Sequence, residues 1–289
     1  MTDSDRAACA HPAPVLMPEP QHTLLGKSTV YSDTYDPSLL TPIPRSLGRN
    51  AIGRSDFRGC DVWRLYELTW LSPSGAPRTA AARLVVPASS PSIIESKSLK
   101  LYAFSFTQTP FASAAEVEAV MTRDLSAAAG APVQVTVGRP ADTVGTAGEL
   151  PGELIDGEAE GLLIRDYEVN PSLLAFDPKE DFAEETLSTR LFRSLCPVTG
   201  QPDFASFVIR YRGQRFSRSA LLAYLVSYRC HRGFHEQCTE QAFADISSRL
   251  HPEFLEIQAL FTRRGGIDIN PFRSSEKDAP SRILREWRQ

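Results

Sequence analysis

One order of elements occurs twice along this chain, and it limits the available folds more than any single residue does. Asp61 to Leu71 sets tryptophan, tyrosine, leucine and threonine in partial alternation, Ser72-Pro73-Ser74-Gly75-Ala76-Pro77 reads as a turn, and Thr79 to Val86 returns as a second strand. Alternation at period two around a proline and glycine turn is the pattern of a hairpin. Ile94 to Phe106 carries Leu99, Leu101, Ala103 and Ser105 on one parity, which predicts a further extended segment. Ser113 with Glu116 three positions on is a helix-capping pair, and Val117, Val120, Met121 and Leu125 continue at helical spacing. Gly130 ends that run before a strand at residues 133–137.

The second half follows the same plan. Glu184 to Leu195 has leucines at 187, 191 and 195 at a helical period, whereas Thr186, Thr189 and Phe192 favour a strand, so periodicity leaves both open. Phe207 to Gly213 is a strand ending in a turn, Ser217 to Tyr228 and Phe234 to Leu250 are helices, and Leu255 to Thr262 is a final strand broken by Arg263-Arg264-Gly265-Gly266. Each half thus runs hairpin, helical material, strand, with no repeat visible at the level of residues. The expectation is an α+β chain of two modules, residues 26–138 and 183–289. Residues 139–182, rich in glycine, proline and acid and strand-like only at Leu162 to Tyr167, form the connection between them.

Hydrophobic residues at 42% and charged residues at 23% of 289 supply material for a core, so disorder is not the general expectation. Residues 1–25 read as a mobile, proline-rich arm; acids at positions 3 and 5 and the lack of an apolar run exclude a secretory signal, and a cytosolic protein is expected. Five cysteines, an odd number at irregular spacing, predict reduced thiols rather than a disulfide scaffold. The net charge of -4 is uneven: between Asp142 and Glu185 thirteen acids face only Arg165 and Lys179, which leaves the remainder mildly basic. That balance suits a phosphate-bearing small ligand better than a nucleic-acid groove.

Four stretches carry candidate chemistry. Cys196-Pro197-Val198-Thr199-Gly200-Gln201-Pro202-Asp203 holds a thiol and a carboxylate around two prolines and a glycine, a constrained turn in which cysteine could attack and aspartate donate. A buried cysteine and a capping aspartate would explain the same residues. In Glu95-Ser96-Lys97-Ser98-Leu99-Lys100-Leu101-Tyr102, read as extended, Glu95 and Lys97 share one face while Ser96 and Lys100 share the other. A carboxylate there could accept from ligand N–H groups and the lysines could hold a phosphate; a lysine-protected edge strand is the alternative. Cys230, His231, His235 and Cys238 are zinc's usual ligand types, but only His231 and His235 have ligand spacing, and a His235–Glu236 pair at a helix start fits a heterocycle better. Arg263-Arg264-Gly265-Gly266 combines guanidinium forks with glycines that permit close backbone approach, which suits the extra phosphate of NADPH or, equally, a solvated strand end. No G-x-G-x-x-G and no P-loop is present.

Together these motifs resemble those of the NADPH-dependent 7-cyano-7-deazaguanine reductases, the nitrile reductases of queuosine biosynthesis, in their long two-module form. Glu95 to Tyr102 with Phe106, Cys196 to Asp203, Phe234-His235-Glu236-Gln237-Cys238 and Thr262 to Pro271 meet the family's patterns in order. The resemblance implies two tandem tunnelling-fold modules, each of two hairpin strands, two helices and two more strands, with helices on one face, and makes Glu184 to Leu195 a strand. It implies that Cys196 forms a covalent thioimide with the nitrile carbon and that Asp203 donates the proton, with His235 beside them. It further implies that Ile94, Glu95, Ser96, His235 and Glu236 hold the substrate, and that Ser96, Lys97, Arg264 and Gly265 contact NADPH, two of which are used per turnover. No metal, a homodimer, no nucleic-acid or membrane partner, and a pocket where the halves meet are also implied. Because Asp203 must give a proton at the pH at which Cys196 is ionised, its pKa is predicted to be raised. The same fold family includes zinc-dependent GTP cyclohydrolases, for which Cys230, His231, His235 or Cys238 would be ligands.

Overall fold

The computed structural model describes residues 31–164, 167–179 and 181–289; the arm assigned to residues 1–25 lies outside them. A 3-10 turn at Pro37–Leu39, β1 (Pro42–Pro44) and α1 (Ser46–Ile52) lead into the hairpin of β2 (Arg58–Leu71) and β3 (Pro77–Pro87). Then follow β4 (Ser92–Ile94), α2 (Ser96–Phe104), α3 (Ala114–Ala129) and β5 (Gln134–Gly138). The segment expected to be extended from Ile94 to Phe106 is therefore a helix. Glu95 caps it by accepting from the backbone N–H of Lys97 (2.8 Å) and Ser98 (2.7 Å), and the buried Leu99, Tyr102, Ala103 and Phe106 fall at helical spacing. Alternation of Leu99, Leu101 and Ala103 also fits period two, and in so short a run the cap decides.

The connection is partly structured, with α4 (Pro140–Thr143), β6 (Glu153–Leu154) and 3-10 turns at Asp156–Gly161 and Pro171–Leu173. No strand forms at Leu162–Ile164 or Tyr167, and Arg165 and Asp166 lie outside the described residues. The second half comprises β7 (Phe182–Leu195), β8 (Pro202–Gln214), α5 (Arg218–Val226), α6 (His235–Leu250), β9 (Phe254–Phe261) and β10 (Ile267–Ser274). Glu184 to Leu195 is thus a strand, as the resemblance implied. The module order of two strands, two helices and two strands is complete in this half, whereas the first half has only β5 after its helices. β10 went unread in the residues because all eight of its positions are buried, which erases alternation, and because Pro271 sits within it.

The duplication extends to detail. β2 and β7 are each 14 residues long, and each has a register shift between its eighth and eleventh residues. α2 and α5 have 9 residues and α3 and α6 have 16. Tyr102 of α2 donates to Asp124 of α3 (2.8 Å), and Tyr224 of α5 donates to Asp245 of α6 (2.6 Å). A residue repeat does exist, contrary to expectation: Asp36-Pro37-Ser38-Leu39-Leu40 recurs as Asn170-Pro171-Ser172-Leu173-Leu174. Both copies form the same 3-10 turn, capped by the Asp36 or Asn170 side chain.

The two halves share one sheet, of order β5-β3-β2-β10-β9-β8-β7-β6, antiparallel except for the β6–β7 pair. β10 runs along β2 from Ile267 opposite Leu65 to Ser274 opposite Arg58, so the last strand stitches the halves together. On one face Trp63, Leu84 and Ile269 pack with Leu99, Tyr102 and Met121, and Phe207, Ile209 and Phe261 pack with Leu221, Leu225 and Phe243. All four long helices thus cover the same face. At the seam below them Arg273 is fully buried between Asp61 (2.8 Å) and Glu240 (2.7 Å), Arg45 also pairs with Asp61 (2.6 Å), and Arg49 with Glu240 (2.7 Å). Such a network holds together only while every charge keeps its partners.

Candidate active site

The connector from β7 to β8 closes on itself through Cys196 N to Gln201 O (2.9 Å) and Gly200 N to Cys196 O (3.0 Å). Gly200 takes φ +69°, a left-handed conformation that glycine adopts without strain. This turn sets Cys196 at the rim of a cavity of about 200 Å³, and Asp203, the second residue of β8, in its wall. Cys60 and Cys238 are fully buried, and burial pushes both thiols up to about 12. Among these free cysteines only Cys196 reaches the cavity.

Both halves build the remaining walls. From the first come Ile94, Glu95, Ser96, Lys97 and Lys100 around the start of α2. From the second come His235 and Glu236, the first two residues of α6, and Arg264 from the turn between β9 and β10. A carboxylate in the first turn of a helix is favoured by the helix dipole. His235 is stacked flat on Phe261, with ring centres 3.7 Å apart, and its Nε2 lies 3.3 Å from Asp203 Oδ2. Arg264 forks between Asp203 and Gln201.

These contacts reverse one expectation. Burial pushes the Asp203 carboxyl up, but the His235 hydrogen bond and charge and the Arg264 guanidinium outweigh it and hold the group below the usual range. The raised pKa predicted for a donor instead belongs to Glu236, which burial and the nearby Asp61 charge push up to about 8, against the opposing Arg45 and Arg273. Glu236 Oε1 and His235 Nδ1 are buried without a hydrogen-bond partner among the described residues. Burial and the neighbouring Arg264 push the Lys100 amine down.

Every residue that the resemblance assigned to catalysis, substrate or NADPH lines this cavity except Gly265, which abuts the Lys100 side chain; a Cβ on it would lie 3.1 Å from Lys100 Cε, whereas Cys230, His231, Cys238 and Arg263 do not line it. Glu95 is nearly inaccessible and already accepts two backbone N–H bonds, so it braces α2 as well as facing the cavity. Trp63 and Ile269, paired across the β2–β10 seam, form the apolar floor and were missed with β10; alternation on β2 places Trp63 on the helix-covered face. Among the described residues no three of His, Cys, Asp and Glu are grouped to hold a metal ion. Among them, too, no helix is long and apolar enough to cross a membrane. For a dinucleotide, the cationic Lys97, Lys100 and Arg264 supply one wall with the charge that phosphates require.

Two family models match the chain: nitrile reductase, 7-cyano-7-deazaguanine-reductase N-term, over residues 31–137, and QueF-like protein, over residues 202–280. A protein of Dechloromonas aromatica, named NADPH-dependent 7-cyano-7-deazaguanine reductase, is 49% identical over 280 residues, covering 94% of this chain and 97% of its own. One of the same name from Burkholderia multivorans is 48% identical over 262 residues, covering 89% and 94%. A solved structure, that of the archaeosine synthase QueF-Like in the apo form, is 20% identical over 31% of this chain and 90% of its own, at a TM-score of 0.29 that carries no weight for the fold.

Proposed function

This chain belongs to the 7-cyano-7-deazaguanine nitrile reductase family, and on that premise we propose that it reduces the nitrile of 7-cyano-7-deazaguanine to the primary amine, as a step toward queuosine. The observation that carries the reading is the buried Glu236 carboxyl, whose Oε1 lacks a partner among the described residues in the cavity that Cys196 borders. Such an acceptor suits the ring N–H and amino groups of a 2-aminopyrimidinone edge, and anchoring that edge at α6 would turn the nitrile toward the thiol.

Cys196 sulfur, as thiolate, adds to the nitrile carbon; one π pair moves to nitrogen, which takes a proton, and a covalent thioimide results. The proton is shared between Asp203 and His235 Nε2, a pair 3.3 Å apart, so that Asp203 acts as relay and the imidazole as reservoir. Arg264 keeps the carboxylate in place until that transfer. NADPH, held by Ser96, Lys97, Arg264 and Gly265, would supply hydride, and reduction by four electrons requires two per turnover. Lys100 joins that wall and deepens the positive charge there.

Glu95, beside the Lys97 and Ser98 N–H groups, would complete substrate recognition with Ile94. Because the cavity takes its walls from both halves, neither module, 26–138 or 183–289, works alone. A homodimer in the cytoplasm, with no metal requirement, completes the reading. The intact mass of the protein after mixing with 7-cyano-7-deazaguanine, without NADPH, tests it. An adduct of one substrate mass is expected, absent in Cys196→Ala and discharged as NADPH is consumed. No adduct and no NADPH oxidation would overturn it.

A further inference from the structure

The sheet face opposite the helices is covered by the last residues of the chain, and that cover grips the β9–β10 turn from behind. The turn itself is tight: Arg264 and Ile267 exchange backbone hydrogen bonds (2.9 and 3.3 Å), and between them Gly265 and Gly266 take φ +59° and +81°. Two successive left-handed residues form the two-residue hairpin turn, and they explain the glycine pair. The front of this turn carries Arg264 into the site and sets Gly265 against the Lys100 side chain.

Three ties hold its back. Gln289, almost wholly buried, donates its side-chain amide to Phe261 O (2.9 Å), at the end of β9, and to Asn270 Oδ1 (2.5 Å) on β10, so one amide bridges both strands that flank the turn. Tyr66 N donates to Gly266 O (3.0 Å), and the Tyr66 ring lies under the Arg263 guanidinium, 4.2 Å from its centre. Arg285 packs over the same ring at 5.2 Å and donates to Tyr66 Oη (3.2 Å), while Tyr66 donates in turn to Asp268 (2.6 Å). The cover is anchored by fully buried Glu286, which accepts from Ser206 (2.5 Å), Arg288 (2.8 Å) and Arg190 (3.4 Å). The acidic connection joins it too, because Arg285 donates to Gly145 O (2.8 Å) and accepts from Gly148 N (2.9 Å).

A surface tail needs no such investment in buried polar groups, each of which is costly without its partner. We propose that Arg285 and Gln289, acting with Tyr66, are positioning residues for the Arg264–Gly265 turn, so that the C-terminal segment sets the geometry of the cofactor subsite from the opposite side of the sheet. None of the three lines the cavity. The inference rests on the reading above that this turn meets NADPH.

The test separates cofactor binding from the cofactor-free step. In the full chain, Gln289→Ala and Arg285→Ala are expected to raise KM for NADPH about tenfold with kcat changed less than about threefold, the split expected for a lost binding geometry. The rate of Cys196 adduct formation without NADPH should stay at the wild-type value. Gln289→Glu, which cannot donate to Phe261 O, should behave as Gln289→Ala does, and Arg285→Lys should recover part of the loss. Tyr66→Phe, which keeps the ring and removes only the hydroxyl, serves as the milder variant should the others fold poorly, with a smaller rise in the same constant expected. An unchanged KM for NADPH in soluble variants, or a fall in adduct formation as large as the change in KM, would overturn the proposal and leave the segment a purely structural cover. Absence of both adduct and NADPH oxidation in the unaltered chain would overturn the reductase reading itself.

Discussion

The β2–β3 and β7–β8 hairpins begin with strands of equal length and equal bulge, yet Ser72 to Ala76 closes the first as a largely exposed turn and Cys196 to Gln201 closes the second at the rim of a cavity. Their surroundings correspond as well. Leu71 accepts from Phe111 N and donates to Thr109 O in the first half, and Leu195 accepts from Gly233 N and donates to His231 O in the second. Each pair of bonds brings the start of the second helix beside the hairpin connector. At that place α3 begins Ala114-Ala115 and α6 begins His235-Glu236. The same scaffold is therefore built twice, and at this place Cys196, Asp203, His235 and Glu236 are loaded onto the second copy. The other copy contributes a different part, the start of α2 with Glu95, Ser96 and Lys97.

The largest test of this contrast substitutes the two connectors. Cys196→Ala is expected to lower turnover by about four orders of magnitude, as removal of a nucleophile does, whereas Ser74→Ala in the corresponding connector should leave NADPH oxidation within about twofold of wild type. Next comes the seam between the copies. Arg273→Met leaves Asp61 and Glu240 without their shared cation and is expected to cost about 3–5 kcal/mol, measured by urea unfolding. A single transition moving as a whole would show the halves to be one cooperative unit; two separate transitions would break that claim.

A smaller effect concerns pH. The Glu236 carboxyl, raised to about 8, is mostly protonated at neutral pH and becomes a full acceptor as pH rises through that value. KM for the deazaguanine nitrile should therefore fall as pH goes from 6 toward 8 and level off above, by about tenfold in all for a carboxylate facing N–H donors. Glu236→Gln should raise KM and flatten this dependence; a slope that persists in the variant would assign it to another group. The smallest effect sharpens the duplication itself. Tyr102→Phe and Tyr224→Phe each remove a matching hydroxyl bond to Asp124 or Asp245, and each should cost about 1–2 kcal/mol in thermal or urea unfolding. A large difference between them would mean that the equal geometry hides unequal packing.

Much of this architecture could be read in the residues because its signals are local. The hairpin turn at Ser72 to Ala76, the Ser113 cap that accepts from Glu116 N (3.2 Å) and the Gly130 helix stop all depend on neighbours within a few positions. The Cys196–Asp203 stretch was legible for the same reason, since a short turn closed from Cys196 to Gln201 leads directly to Asp203 at the start of β8. What failed was set by distant partners. β10 is buried on both faces, by the helices on one and by the C-terminal segment on the other, and its β2 partner lies some 200 positions away, so its pattern carries no alternation. Asp203 takes its charge state from His235 and Arg264, which sequence spacing could not bring to it. The Asp36 and Asn170 repeat was written plainly, but five residues with one acid-to-amide change stand out only once both are seen to form the same turn.

The position of β10 also orders events in time. Arg64 and Asp268, which meet across the seam, are 204 residues apart in the chain, and contacts of such separation form late because the intervening loop must close first. During synthesis the first hairpin leaves the ribosome with the β2 edge unpaired and waits for nearly the whole of the remaining chain before Ile267–Ser274 can fill it. The floor of the cavity, Trp63 beside Ile269, is laid by that same step. A nascent chain thus carries a thiol long before it has a pocket, and the enzyme comes into being only when its last strand is inserted.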